Sequence, residues 1–84
     1  MQTKTIWITG GSSGIGFETA KKFLRNNWTV IISSSNIDKL NIAKQKISLT
    51  DNIENFYSLK CDITDKNEVD NTISLIENEI GEIN

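Results

Sequence analysis

A run of glycines and hydroxyl residues near the start of the chain, TGGSSGIG from Thr9 to Gly16, has the composition and spacing of a phosphate-binding turn. Gly10 lets the chain leave a strand sharply. Gly14 leaves no side chain between the backbone and an anion, and Gly16 allows the helix that follows to lie close against the sheet. The start of such a helix presents free N–H groups and a partial positive charge to the anion. Two further hydroxyl donors come from Ser12 and Ser13.

The elements on either side of this run are those that a phosphate-binding turn requires. Thr5 to Thr9 is β-branched, aromatic and uncharged, which predicts a strand buried on both faces. After the glycines, apolar residues recur at helical spacing up to about Arg25, at Phe17, Ala20 and Leu24. The turn therefore joins a buried strand to a helix. A tight glycine-rich turn without a ligand is the alternative interpretation.

A different phosphate site, the loop of nucleoside triphosphatases, is excluded by two residues. Gly11 to Gly16 fits the glycine spacing of that loop, but lysine and a hydroxyl residue should follow. The residues that follow are Phe17 and Glu18, so a phosphate-binding cation and a magnesium-binding hydroxyl are both missing.

The rest of the chain predicts two further strand–helix units. The second strand is expected over Trp28 to Ser33 and the third over Phe56 to Cys61, with a polar stretch from Ser48 to Asn55 before it. Asn36 is suited to cap a helix with an apolar stripe at Ile37, Leu40, Ala43 and Ile47. Asp65 and Glu68 resemble a capping box, and Gly81 stands at the expected end of the helix. The stripe of this last helix consists of Val69, Ile73, Ile76 and Ile80.

The predicted order βαβαβα implies an α/β fold with a doubly wound parallel sheet and right-handed crossovers. The first two helices are expected on one face of the sheet and the third on the other. We expect only the first βαβαβα portion of the doubly wound fold, because a fourth strand would come next. The apolar sheet face or the last helix is then expected to stay partly exposed and to favour self-association.

The amino-acid composition excludes several classes of function. The 84 residues carry a net charge of −2, one cysteine and no histidine. The absence of histidine excludes a histidine triad or base, and one cysteine excludes an internal disulfide or a CxxC metal site. Nine basic against eleven acidic residues argue against a nucleic-acid partner. Apolar runs such as Val30 to Ile32 are far too short to span a membrane, and the start lacks a leader pattern. We expect a cytoplasmic protein without a metal site.

Three segments together resemble the short-chain dehydrogenase/reductase family. They are TGGSSGIG after the first strand, CDITD at Cys61 to Asp65, and GEIN at Gly81 to Asn84, which is similar to the approach to that family's fourth strand. The resemblance covers the whole chain, 1–84. It implies a Rossmann-like fold that binds NAD(H) or NADP(H), in proteins that transfer hydride between an alcohol and a carbonyl.

The resemblance also implies roles for individual residues. Those that would line the pyrophosphate and the adenosine ribose are Gly10, Ser12, Ser13, Gly14, Ile15 and Gly16. Asp62 falls where the family's acid binds the adenine amino group, and Ile63 follows it as a backbone contact. A local Asx turn that leads into the next helix is the alternative role for Asp62.

The choice between NAD and NADP is expected to depend on Ser33 to Asn36, directly after the second strand. An acidic residue there would bind the ribose hydroxyls of NAD, and an arginine would hold the 2′-phosphate of NADP; this sequence has neither. Three hydroxyls, including those of Ser34 and Ser35, and the nearby Lys39 could solvate the phosphate, which slightly favours NADP. A solvated loop capped by Asn36 explains the same residues.

No catalytic residue is predicted. The resembled family uses a Tyr-x-x-x-Lys pair on a later helix, whereas Tyr57 is followed by Lys60 at three residues and Cys61 at four, within a strand. We therefore expect a cofactor-binding N-terminal portion, in which hydride transfer to a small carbonyl or alcohol substrate needs further sequence. A non-catalytic nucleotide-binding fragment and a truncated, non-functional product are the alternatives.

Overall fold

Three strands and three helices alternate along the chain in the computed structural model, which describes residues 4–84; the first three residues of the predicted 1–84 portion lie outside it. The elements are β1 (Thr5–Thr9), α1 (Gly14–Arg25), β2 (Thr29–Ser34), α2 (Ile37–Thr50), β3 (Phe56–Lys60) and α3 (Lys66–Glu79). The strands form a parallel sheet in the order β1-β2-β3. The predicted α/β, Rossmann-like arrangement is therefore confirmed.

Side-chain caps explain where α2 and α3 begin. Asn36 Oδ1 accepts hydrogen bonds from the N–H groups of Asp38 and Lys39, and Asp65 Oδ1 accepts from Asn67 and Glu68. Each bond satisfies a donor that has no partner inside its own helix. Both predicted caps are confirmed.

Helix α2 runs further than predicted. Ser48 to Thr50, which the polar composition assigned to a loop, complete its last turn. Burial of Ile47 against the sheet holds this turn, and the Ser48 hydroxyl donates to the carbonyl of Gln45, so the polar side chains do not compete with the helix.

The two faces of the sheet are covered by different helices, as predicted. One face packs against α1 and α2 in a core that consists of Ala20, Leu24, Val30, Ile32, Leu40, Ala43, Ile47 and Phe56. Ile31 points to the opposite face because strand residues alternate, and it is fully buried. Helix α3 lies on that side: its Ile76 is fully buried outside the core cluster, and a Cβ on Gly81 would stand 3.1 Å from Thr5 Oγ1.

The end of the described chain lies beside β1, on the edge away from β2. The Asn84 N–H donates to the Thr5 carbonyl at 3.0 Å, and the Thr5 N–H donates to Asn84 Oδ1 at 2.8 Å. These bonds place Asn84 at the start of the edge where a fourth strand would pair. None of the helices among residues 4–84 combines the length and the apolar character that crossing a bilayer requires.

Candidate functional site

The glycine turn after β1 depends on two left-handed residues. Gly10 has φ +68° and Gly14 has φ +60°, which lie in a backbone region that residues with a Cβ rarely adopt. The Gly10 N–H donates to the Ser33 carbonyl at 2.9 Å, which ties the turn to the carboxyl end of β2. The turn is therefore set by backbone conformation and by one bond to the neighbouring strand.

Gly11 and Gly16 are required for close packing. A Cβ on Gly16 would stand 2.6 Å from the Gly10 carbonyl oxygen, so the first turn of α1 packs on the glycine turn itself, whereas contact with the sheet was predicted. A Cβ on Gly11 would meet Ile32 Cγ2 at 2.6 Å. Sequence reasoning missed Gly11, because only the strand register places Ile32 beneath it.

The start of α1 is suited to hold an anion. Ser13 is the N-cap residue, yet its side chain makes no capping bond, and the first turn of the helix carries no acidic residue. The N–H groups at the start of a helix have no partner within the helix. Ile15 is 87% exposed although it is apolar. Free donors and an uncovered apolar side chain therefore stand side by side.

A cavity of about 260 Å³ lies where the carboxyl ends of the three strands meet. It brings together five of the predicted residues, namely Gly10, Ser34, Ser35, Asp62 and Ile63, and adds Ser33, Cys61 and Thr64. Four predicted residues of the glycine turn line a wider groove along α1, namely Ser12, Ser13, Gly14 and Ile15. The predicted residue Gly16 lines neither this groove nor the cavity. The candidate site thus consists of a cavity and a groove on a shared turn.

Asp62 lines the wall of the cavity, where its local hydrogen bonds favour the ionised carboxylate. Its Oδ1 accepts from the Thr64 hydroxyl at 2.7 Å and from the Thr64 N–H at 2.9 Å. These two hydrogen bonds, with a smaller contribution from the charge of Lys60, lower the pKa of the Asp62 carboxyl. The local Asx turn considered as an alternative is present, and it coexists with a position in the cavity.

The predicted capping box is formed only in part. Asp65 caps the N–H of Glu68, but the Glu68 carboxylate does not return the bond to Asp65. Glu68 Oε1 instead accepts from the Asp62 N–H at 2.9 Å, and the Asp65 N–H donates to the Asp62 carbonyl at 3.0 Å. A tight turn between Asp62 and Asp65 explains the difference, because it already occupies the N–H that a capping box would use.

The serines after β2 have different environments. Ser33 is fully buried, and its hydroxyl accepts from Trp7 Nε1 at 2.9 Å, so the expectation that three hydroxyls are available to a ligand is wrong. Ser34 Oγ accepts from the Asn36 N–H at 3.1 Å, which leaves its own hydrogen free to donate. Ser34 and Ser35 line the cavity, but Lys39 does not.

Cys61 and Tyr57 belong to the third strand and its end. Cys61 is buried and lines the cavity, and its N–H donates to the Ser34 carbonyl. Tyr57 lies within strand β3 and not on a helix, so it is not part of a Tyr-x-x-x-Lys pair on one helix face.

A parallel sheet with a glycine turn after its first strand defines the Rossmann-like class of α/β folds. The family model for short-chain dehydrogenases matches residues 4–84. The chain therefore belongs to the short-chain dehydrogenase family.

Individual relatives agree with this assignment. The chain is 37% identical over 68 residues to the uncharacterized oxidoreductase DltE of Bacillus subtilis, a match that covers 81% of this chain and 25% of that protein. The crystal structure of a short-chain dehydrogenase from Bacillus anthracis superposes with a TM-score of 0.86 at 28% identity, and covers 96% of this chain and 33% of that one. An NADPH-bound oxidoreductase structure from Pseudomonas aeruginosa shares the fold, with a TM-score of 0.86 at 24% identity over 93% of this chain and 30% of that one. The chain thus spans a third or less of the length of each of these proteins.

Proposed function

We propose that residues 1–84 are the N-terminal, dinucleotide-binding portion of an NAD(P)-dependent oxidoreductase. The observation that carries this proposal is the juxtaposition of two parts at one edge of the sheet. A glycine turn with two left-handed residues opens α1, and an ionised Asp62 lines the cavity beside it. The pyrophosphate would bind at the turn and the adenosine in the cavity.

Each part has the chemistry for its half of the ligand. The free N–H groups at Gly14 and Ile15, with the hydroxyls of Ser12 and Ser13, would donate to the pyrophosphate oxygens. The Asp62 carboxylate would accept from the adenine amino group. Ile15 and Ile63 are 87% and 60% exposed, and a bound dinucleotide would cover part of their apolar surface.

NADP is the slightly favoured cofactor. The hydroxyls of Ser34 and Ser35 lie at the cavity, and the first carboxylate after β2 belongs to Asp38, inside α2. No acidic side chain between Ser34 and Ile37 would repel a 2′-phosphate or select the hydroxyls of NAD.

Catalysis by the whole protein is part of the same proposal. Hydride transfer between an alcohol and a carbonyl would need a Tyr-x-x-x-Lys pair, which these 84 residues do not contain. A small carbonyl or alcohol substrate and a cytoplasmic setting belong to the completed enzyme. The absence of the pair from the sequence equally favours a second candidate, which is a nucleotide-binding chain without catalytic activity of its own. A truncated, non-functional product is consistent with the same absence.

The test is a titration of the chain with NADPH and with NADH. Binding is monitored by fluorescence energy transfer from tryptophan to the reduced nicotinamide. We expect binding of both, with NADPH modestly tighter. Gly14→Val should abolish binding because it fills the place of the pyrophosphate, and Asp62→Asn should weaken binding while keeping the size of the side chain. Glu77→Gln, on the exposed side of α3, is the matched control. Absence of binding by the folded wild-type chain at millimolar dinucleotide would refute the proposal.

A further inference from the structure

The carboxylate of Glu68, six residues after Asp62, forms a bond that joins α3 to the wall of the cavity. Its Oε1 accepts the Asp62 N–H at 2.9 Å, and both residues are half-buried. We infer that Glu68 is a positioning residue that orients Asp62 toward an adenine ring. The inference rests on the proposed dinucleotide binding and assigns a role to a residue that does not itself line the cavity.

The bonds around Asp62 leave one of its carboxylate oxygens for a ligand. The Asp62 N–H is held by Glu68, and its carbonyl accepts from Asp65. Both bonds from Thr64 reach Oδ1. Within residues 4–84 no donor bonds to Oδ2, so this charged oxygen is the free acceptor at the cavity. Its direction follows from the two Thr64 bonds to Oδ1 together with the two bonds that fix the Asp62 backbone.

Glu68 is itself held firmly enough to transmit a position. Its N–H donates to the cap residue Asp65, and its carbonyl accepts from the Thr72 hydroxyl at 2.8 Å. Thr72 and Ile76 on the same helix are buried. On the other side of Asp62, the Cys61 N–H donates to the Ser34 carbonyl at 3.0 Å. Asp62 is therefore fixed between the end of β3 and the first turn of α3.

An ionised carboxylate suits this position because a bond from a backbone N–H to a charged acceptor is stronger than one to a neutral group. Loss of the acceptor would leave the Asp62 N–H unpaired at a partly buried site. The turn would then relax, and the free oxygen of Asp62 would lose its fixed direction. A glutamine retains an oxygen that accepts the same bond, whereas an alanine does not.

The test compares ADP with IDP, whose hypoxanthine carries a carbonyl where adenine carries its amino group. Dissociation constants are measured by NMR titration of the 84-residue chain and its variants. The wild type should bind ADP more tightly, because the Asp62 carboxylate accepts from the amino group and repels the carbonyl. Glu68→Ala should weaken ADP binding about tenfold and IDP binding less than twofold. Glu68→Gln should restore most of the preference, and Glu77→Ala, elsewhere on α3, is the control.

The outcomes separate the inference from the proposed function. An equal loss of ADP and IDP affinity in Glu68→Ala, an unchanged preference, or a Glu68→Gln variant as impaired as Glu68→Ala would each overturn the positioning role. Failure of the wild-type chain to bind ADP or NADPH would refute the proposed function instead. Hydrogen exchange of the Asp62 amide needs no ligand and should be faster in Glu68→Ala than in Glu68→Gln. Equal exchange in the two variants would show that Glu68 does not hold the turn.

Discussion

The indole of Trp7 and the hydroxyl of Ser33 are joined across two strands by a hydrogen bond of 2.9 Å. Trp7 pairs with Ile31 in the β1–β2 register, so Ser33 lies two residues further along the same face of the sheet. The Gly10 N–H bonds to the carbonyl of the same Ser33. These two bonds connect β1 and its glycine turn to the strand end that carries Ser34 and Ser35.

The bond between Trp7 and Ser33 is expected to show strong energetic coupling. Trp7→Phe leaves a buried hydroxyl without its donor, and Ser33→Ala leaves the indole N–H without its acceptor. Each change should lower the free energy of unfolding by about 1–3 kcal/mol. The double variant should lose less than the sum of the two, because neither orphaned group remains. Urea denaturation of the four proteins measures the coupling, and strictly additive losses would contradict a direct bond.

The ion pair between Arg25 and Asp51 should make stability depend on pH. Arg25 Nε donates to Asp51 Oδ1 at 2.7 Å, and the Asp51 side chain is nearly buried. The guanidinium bond, followed by a bond from the Thr50 hydroxyl, lowers the pKa of Asp51 from its ordinary value of 3.8. A lowered folded-state pKa means that the stabilisation is complete above the unfolded value and is lost as the pH falls below it.

Comparison with Asp51→Asn tests this pH dependence. The difference in unfolding free energy between the wild type and Asp51→Asn should be largest near pH 7. It should shrink as the pH falls below about 4, where the unfolded carboxyl becomes protonated. Asp70→Asn, on the exposed side of α3, is the control and should show no such trend. A difference that stays constant from pH 7 to pH 2 would be evidence against the ion pair.

Local sequence pattern was sufficient to predict most of the fold, because the signals for each helix and strand lie within that element or next to it. Asn36 and Asp65 cap helices by bonding to residues two and three positions away, and the apolar stripe of α2 is visible in sequence. The glycine turn was identified in the same way, whereas the role of Asp62 came only from the resemblance of the chain to a known family. The partners of Ser33 and Gly11 were not identified, because both depend on the register between β1 and β2. The target of Glu68 escaped prediction because a tight turn at Asp62 redirects the carboxylate.

Substitution of Gly10 and of Gly16 should differ in severity for a structural reason. A Cβ at position 10 would meet nothing within 4 Å. Gly10→Ala should therefore lower the free energy of unfolding only through the left-handed backbone conformation, by about 1–2 kcal/mol. The Cβ of an alanine at position 16 would stand 2.6 Å from the Gly10 carbonyl oxygen. Relief of this clash would require a shift of the backbone, which costs more free energy than a shift of a flexible side chain. We expect Gly16→Ala to be the more destabilising of the two in urea denaturation. A larger loss for Gly10→Ala would show that strain, rather than packing, dominates the turn.

Self-association of the 84-residue chain stays a prediction, and the open edge of β1 gives it a definite surface. The Lys4 carbonyl and the Gly10 N–H bond to β2, so the alternate residues between them direct their backbone groups to the other edge. At that edge, Asn84 is hydrogen-bonded to the backbone of Thr5. Within residues 4–84, the backbone groups of Trp7 and Thr9 at the same edge have no strand beside them. An unpaired strand edge favours pairing with a second chain.

Sedimentation velocity over a range of concentrations tests which surface is used. The wild-type chain should show a weight-average sedimentation coefficient that rises with concentration. Thr9→Pro removes an N–H from the open edge without removing a bond to β2, and should shift the chain toward monomer. Leu75→Lys changes the exposed side of α3, where Leu75 is 46% exposed, and serves as the comparison. A larger effect of Leu75→Lys would assign association to the last helix, and a sharp monomer peak for the wild type would contradict self-association altogether.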